Sequence, residues 1–376
     1  MQKLWLRKWF PAPLAAKISF AILALAAALA PALVFAQMNP SLTIDADCSA
    51  FAISPENRIV YAVPHIKRVK KVIIERDEIW IADPNGHVKR ILDPDKFMPV
   101  DHPATYIVSS LAWSPDGRHI VVSMTTMAAE PVKLKQDDDD TPPPPPPGGG
   151  RDLVLLDDNG GEVKVAGLKT RFIENGIRGT YLGDGVDVAY LQGDGPYKIF
   201  RLNPADGKTV ELFEGHTFDT VNWDAKDNFA YCVGSDLSVL GKTVIVKLDL
   251  IHETVQELAR LGDYRGSMRI SPSGTKIGYF ADGDNIEVID LAHPDKPIRV
   301  QAGYGIFQWS HDERRLLLKR GAEEKSNSLV WVGLADNSFT PVLHDLLWHQ
   351  FQIMPDGNSI AVTEPGKRVL KIFPLH

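Results

Sequence analysis

Ser110-Leu111-Ala112-Trp113-Ser114-Pro115-Asp116-Gly117-Arg118-His119-Ile120-Val121-Val122-Ser123 is the stretch whose reading decides the fold. Ser-Pro-Asp-Gly is a tight reversal: proline presets φ, and Asp and Gly accept the backbone angles that follow it. Apolar residues alternate before the turn and run on after it, which predicts two strands joined as a hairpin. The signature returns as Ser54-Pro55-Glu56-Asn57, Ser271-Pro272-Ser273-Gly274 and Met354-Pro355-Asp356-Gly357. Degenerate copies stand at Leu182-Gly183-Asp184-Gly185, Asp224-Ala225-Lys226-Asp227 and Ser310-His311-Asp312-Glu313. Their spacing of roughly 40 to 70 residues is the period of propellers and solenoids.

Downstream of the quoted stretch, Leu153-Val154-Leu155-Leu156 reads as a third strand. Asp157 to Gly161 closes it, and Glu162-Val163-Lys164-Val165 reads as a fourth. Four antiparallel strands in series make one propeller blade. Further third strands are expected at Glu78–Ile81, Tyr197–Phe200, Val244–Lys247, Ile286–Ile289 and Leu329–Val332. After Ala36 the apolar runs are short and rich in Val, Ile and aromatics, with no long helical period. The expected fold is therefore all-β: a seven-bladed propeller over residues 37–376, with blades of four antiparallel strands. The last repeat lacks a fourth strand, while Leu42-Thr43-Ile44 is unassigned. Pairing it against Val369–Ile372 would cover an exposed edge and close the ring.

Residues 1–36 read as a cleavable signal peptide: Lys3, Arg7, Lys8 and Lys17, an apolar run from Ile18 to Ala30, then Val34-Phe35-Ala36. A retained anchor is the alternative, but the run is short for a span. The expected location is the periplasm or outside the cell, with no membrane span in the mature chain. A net charge of −7 over 376 residues speaks against nucleic-acid partners. Cys48 and Cys232 fall in the first and fourth blades, too far apart for a disulfide. Residues 137–150 combine four Asp, six Pro and a Gly run, which reads as a disordered or polyproline-II loop.

The pattern apolar-x-Trp-Ser-Pro-Asp-Gly-x-x-Ile, complete over Leu111 to Ile120, resembles the TolB-type, WD-like β-propeller repeat of bacterial exported proteins. The resemblance implies a propeller fold and a cell-envelope setting. TolB itself carries a small α/β domain ahead of its propeller, for which no room is expected here, so the resemblance extends to the repeat and not to TolB's role in the Tol–Pal system. Fold alone does not assign function.

No nucleophile elbow, His-Glu-x-x-His, Cys-x-x-Cys or phosphate loop is present, so no catalytic residue, metal or cofactor is expected. His252-Glu253 and Asp282-Gly283-Asp284-Asn285 read as turns. A propeller's usual site is its channel mouth, where outer strands return to innermost ones. Six residues before each turn stand Cys48, Val108, Gly176, Phe218, Arg265, Tyr304 and Trp348, with Tyr264, Arg178 and His349 close by. Arg265, Tyr304, Trp348 and His349 are expected to line one mouth and contact a protein or peptide, with Tyr264, Phe218 and Arg178 around them. Aromatics and Arg are the types enriched at interface hot spots. Three readings stay open: a non-enzymatic binder of a protein or peptide, a lyase or hydrolase using Arg265, His349 and a nearby Asp, and a scaffold in which these residues cap the core. Trp113, Trp223 and Trp309, one residue before their turns, are expected to be core packing.

Overall fold

A computed structural model describes residues 39–69, 72–97, 104–128, 130–131, 150–168, 172–239, 242–262, 264, 266–281, 285–301, 306–320, 327–346, 350–364 and 369–375. Residues 38–376 form one compact unit, a seven-bladed β-propeller whose blades are four-stranded antiparallel sheets. Within blades 1 to 6 the strands pair in chain order, and the first strand of each is innermost. These innermost strands are Ala50–Ile53, Ala104–Trp113, Ile177–Tyr181, Phe218–Asp224, Gly266–Ile270, Phe307–Trp309 and, in blade 7, Phe351–Ile353. A single helical turn, Pro94–Phe97, and a 3-10 turn, Ala225–Asp227, are the helical elements among the described residues.

The repeated turn explains itself atom by atom. Ser114 is buried, and its Oγ accepts hydrogen bonds from the Arg118 and His119 amides at 3.1 and 2.8 Å while donating to Asp116. Ser54, Ser271 and Ser310 are buried in the same place and also accept from backbone N–H groups beyond their turns. A buried hydroxyl needs such partners. The close of each turn requires positive φ: 70° at Gly117, 69° at Gly185, 72° at Gly274 and 70° at Gly357. Asn57, Asn228 and Glu313 meet that requirement where the turn has no closing glycine, at 61°, 59° and 55°.

Hydrophobic burial is organised between blades. Cores form at each successive blade boundary, from blades 1 and 2 through blades 6 and 7, and again between blade 7 and blade 1. Second strands are buried on both faces, which accounts for their continuous apolar runs. Ile120 and Val122 face blade 1, while Val121 between them faces blade 3. Leu42–Asp45 is the outer strand of the blade 7 sheet, antiparallel to Val369–Pro374 in the register Leu42 to Ile372 and Asp45 to Val369. Its Ile44 joins the core shared with Ile53, Ile59 and Tyr61 of blade 1.

Blade 2 departs from expectation. Its third strand spans Gly150–Asp157, so Gly150 belongs to the strand and not to the Asp/Pro/Gly loop; residues 137–149 lie outside the described residues. Its fourth strand is Ile173–Glu174, where the sequence pointed to Glu162–Val165. After one bridge from Glu162 to Leu156 the chain leaves, because the Ala166 amide bonds Pro204 O in blade 3 at 2.9 Å. Val72–Glu75, Ile66–Val69 and Glu130–Pro131 form an additional three-stranded sheet from the long second-to-third connections of blades 1 and 2.

One buried acid ties blade 1 to blade 2. Asp77 is 2% exposed; its Oδ2 accepts from Val108 N at 2.8 Å and Ser49 Oγ at 3.2 Å, while Oδ1 is buried without a partner. Burial raises its pKa to about 6 against those two bonds. Neighbouring Arg76, also buried, donates from Nε to Ala104 O of the same blade 2 strand at 3.2 Å. Cys48 and Cys232 are free thiols, both pushed up chiefly by burial.

Candidate functional site

The innermost strands enclose a central channel. A cavity of about 750 Å³ opens within it, lined from blades 1, 2, 4, 5, 6 and 7. Phe51, Ile306 and Ile353 supply apolar surface, and Ser110, Gln350 and Gln352 supply hydrogen-bonding groups. A second cavity of about 320 Å³ lies against the inner strands of blades 3 to 6. Arg178, Thr220, Asn222, Ser267 and Arg269 are its polar lining, with Val221, Met268, Ile306 and Phe307 apolar beside them. Arg269 and Ile306 border both cavities.

Local backbone irregularity shapes this wall. In blades 2 to 5 the innermost strand slips register against the second strand, between Val108 and Ser110, Ile177 and Thr180, Phe218 and Val221, and Gly266 and Arg269. Such a bulge breaks the strict alternation of side chains and re-aims one of them. Arg178 and Ser267 occupy equivalent places, four residues before the turn, and both take positive φ, 47° and 52°. Non-glycine residues rarely do so, and the cost is of order 1 to 3 kcal/mol.

Fixed contacts between blades hold the wall in place. The indole of Trp223 donates to Arg178 O at 2.9 Å, that of Trp309 to Arg269 O at 3.2 Å, and that of Trp113 to Ala52 O at 3.3 Å. Each Trp thus binds the innermost strand of the preceding blade. Gln308 reaches the other way: its Nε2 donates to Phe351 O at 2.7 Å and its Oε1 accepts from Ile353 N at 2.8 Å. Asp224, at the border of the larger cavity, has its pKa raised by burial and by Asp227.

The expected site residues separate into distinct environments. Arg178 lines the smaller cavity and is exposed to it. Tyr264 is half-buried, and its hydroxyl shares a 3.0 Å hydrogen bond with Thr220 of the cavity wall. Phe218 corrects the sequence reading: it is 0% exposed, in the blade 3–4 core, with its ring edge-on to Phe213. Val108 and Gly176, at the same place in blades 2 and 3, are also buried, so that position serves packing there. Arg265, Tyr304, Trp348 and His349 lie outside the described residues. Arg269 went unread in the sequence. The signal lay two residues before each turn, where Ala52, Ala112, Thr180, Asn222, Arg269, Gln308 and Gln352 are mostly polar within otherwise apolar strands.

No family model and no curated protein matches the chain. Solved structures do. A chain of the mitotic checkpoint complex superposes with a TM-score of 0.55 at 11% identity, covering 90% of this chain and 95% of that one. The β-propeller domain of Cps50 (Swd1) from Myceliophteria thermophila superposes with a TM-score of 0.53 at 12% identity, covering 90% of this chain and 100% of the other. At such identities the likeness is one of fold, to WD40-like propellers.

Proposed function

We propose that this protein is an exported, non-enzymatic propeller of the TolB-type repeat class that holds a peptide segment of a cell-envelope protein in its central channel. The observation that carries the reading is the 750 Å³ channel cavity, which Gln350, Gln352 and Ser110 line together with Phe51, Ile306 and Ile353. An extended peptide presents backbone N–H and C=O groups between side chains, and a wall mixing amides with apolar surface can satisfy both. WD-like neighbours support it: one of them is a member of a multiprotein assembly. The basic-then-apolar segment over residues 1–36, ending Val34-Phe35-Ala36, supports export to the periplasm or beyond.

The test is selection of a displayed random peptide library on the protein, followed by measurement of the selected peptides on Gln352→Trp. Gln352 lines the cavity and is half-buried, so an indole there fills the channel. Selected peptides should bind the parent and lose at least about tenfold in affinity on the variant, with its melting temperature unchanged. Equal binding to both proteins would place the site elsewhere.

A further inference from the structure

The smaller channel cavity contains two guanidinium groups, Arg178 and Arg269, and no carboxylate among its described lining residues. Neither guanidinium has an ion-pair or hydrogen-bond partner among the described residues. Of the carboxylates nearby, Asp224 lines the larger cavity, where burial and Asp227 raise its pKa, and Asp219 stands close enough to Tyr264 to add to burial in raising the pKa of that hydroxyl. Both arginines are exposed to the channel yet enclosed by its wall, and crowding by the protein together with Arg178 lowers the pKa of Arg269. Two like charges sharing a partly desolvated space repel, and a bound anion removes that repulsion.

Their placement is built rather than incidental. Arg178 sits at a bulge in left-handed backbone, and the carbonyl groups of Arg178 and Arg269 are both held by tryptophan indoles from the following blades. Thr220, Asn222 and Ser267 line the same space; the Thr220 hydroxyl shares its hydrogen bond with Tyr264, and the Asn222 Nδ2 is buried without a partner. The two guanidinium groups thus border a polar-lined space of about 320 Å³ that has apolar flanks at Met268 and Phe307. Arginine suits a planar oxyanion because its fork can donate two parallel bonds.

We infer that Arg178 and Arg269 together form a receptor for a carboxylate, supplied by an acidic side chain of the segment that enters the channel. The inference rests on the channel-binding reading above and adds the charge of the ligand. It assigns a role to Arg269 and narrows the partner to one with an acidic segment.

Two arms test it. In the first, succinate and, separately, inorganic phosphate are titrated into the protein while the Nε–Hε resonances of Arg178 and Arg269 are followed, assigned by substitution. In the second, the end-blocked peptide Ac-Leu-Ser-Glu-Ser-Leu-NH2 is compared with its Gln counterpart by calorimetry. Succinate should move both arginine signals, and the Glu peptide should bind about ten- to a hundredfold tighter than the Gln peptide, the range of a charge-assisted hydrogen bond. Arg178→Met/Arg269→Met should abolish the preference; Arg260→Met, on an exposed outer strand paired with Glu257, should leave it intact. Single Arg178→Gln and Arg269→Gln variants serve if the double variant does not fold, each with a partial loss. Succinate binding without binding of either peptide supports the carboxylate receptor and leaves the peptide reading to the library selection. Equal affinity for both peptides, or a preference that survives loss of the arginines, overturns the receptor and leaves peptide binding standing. Phosphate binding with no response to succinate overturns the choice of carboxylate.

Discussion

Asp77→Asn should change the pH dependence of stability in a way that can be worked out from the structure. Asp77 is buried at the boundary of blades 1 and 2, with one carboxylate oxygen bonded to Val108 N and Ser49 Oγ and the other orphaned. Its pKa rises from 3.8 to about 6, chiefly because burial penalises the charged form. The folded state thus holds a proton that the unfolded state has already released. Stability from this group is fully present below about pH 4 and is lost as pH rises through about 6. At about 1.4 kcal/mol for each tenfold change in proton affinity, the interval corresponds to about 3 kcal/mol. Asparagine keeps an acceptor for Val108 and Ser49 and carries no charge, at the cost of an unpartnered amide of about 1 kcal/mol. Urea denaturation of parent and variant from pH 4 to pH 7.5 isolates the term, since every other titrating group is common to both. The parent should lose about 3 kcal/mol relative to the variant between the ends of that range, so the variant is the more stable protein at pH 7.5. Parallel stability curves would refute the reasoning and show that Asp77 is solvated or ionised in the folded state.

Other expectations concern the ring and its turns. Deleting residues 37–46 removes the outer strand of blade 7; burial of Ile44 alone is worth roughly 1.5–3 kcal/mol, so the melting temperature should fall markedly, and an unchanged melt would contradict a closing role for that strand. Ser114→Ala orphans the His119 amide and should cost about 1–3 kcal/mol in chemical denaturation; a loss under about 0.5 kcal/mol would mean that the turn does not depend on its serine. Gln308→Met keeps the side-chain volume but drops both bonds to the innermost strand of blade 7, with a similar cost expected in the same assay, and no cost if the amide contacts water instead.

Blade number, strand order and turn positions were legible because each rests on local chemistry repeated along the chain. Ser114, Pro115 and Gly117 meet the needs of the turn by themselves, and Ile120-Val121-Val122 carries the mark of a strand buried on both sides. Glu162–Val165 has the composition of a strand, yet Val163 and Val165 pack on the core between blades 2 and 3 and the Ala166 amide bonds Pro204 O in blade 3, long-range contacts that no local pattern encodes. The channel wall was harder to read for a related reason. Bulges in blades 2 to 5 insert a residue into the innermost strand, so counting back from the turn no longer gives side-chain direction. Phe218, six residues before its turn, therefore falls into the core, while Arg178, four before, enters the cavity. Arg269 was hidden because its equivalents are mostly polar but share no one residue type, running from Ala52 to Gln352, and such a position draws less notice than a repeated Trp or Gly.

The central claim, that the channel is where a peptide binds, is tested most directly by photo-crosslinking. A selected peptide carrying a benzophenone is irradiated on the protein, and the attachment sites are mapped by mass spectrometry. The account predicts attachment to channel residues such as Ile306, Gln350, Gln352 and Met354. Attachment confined to the exposed outer strands, at Val255, Ile298 or Phe339, would contradict it.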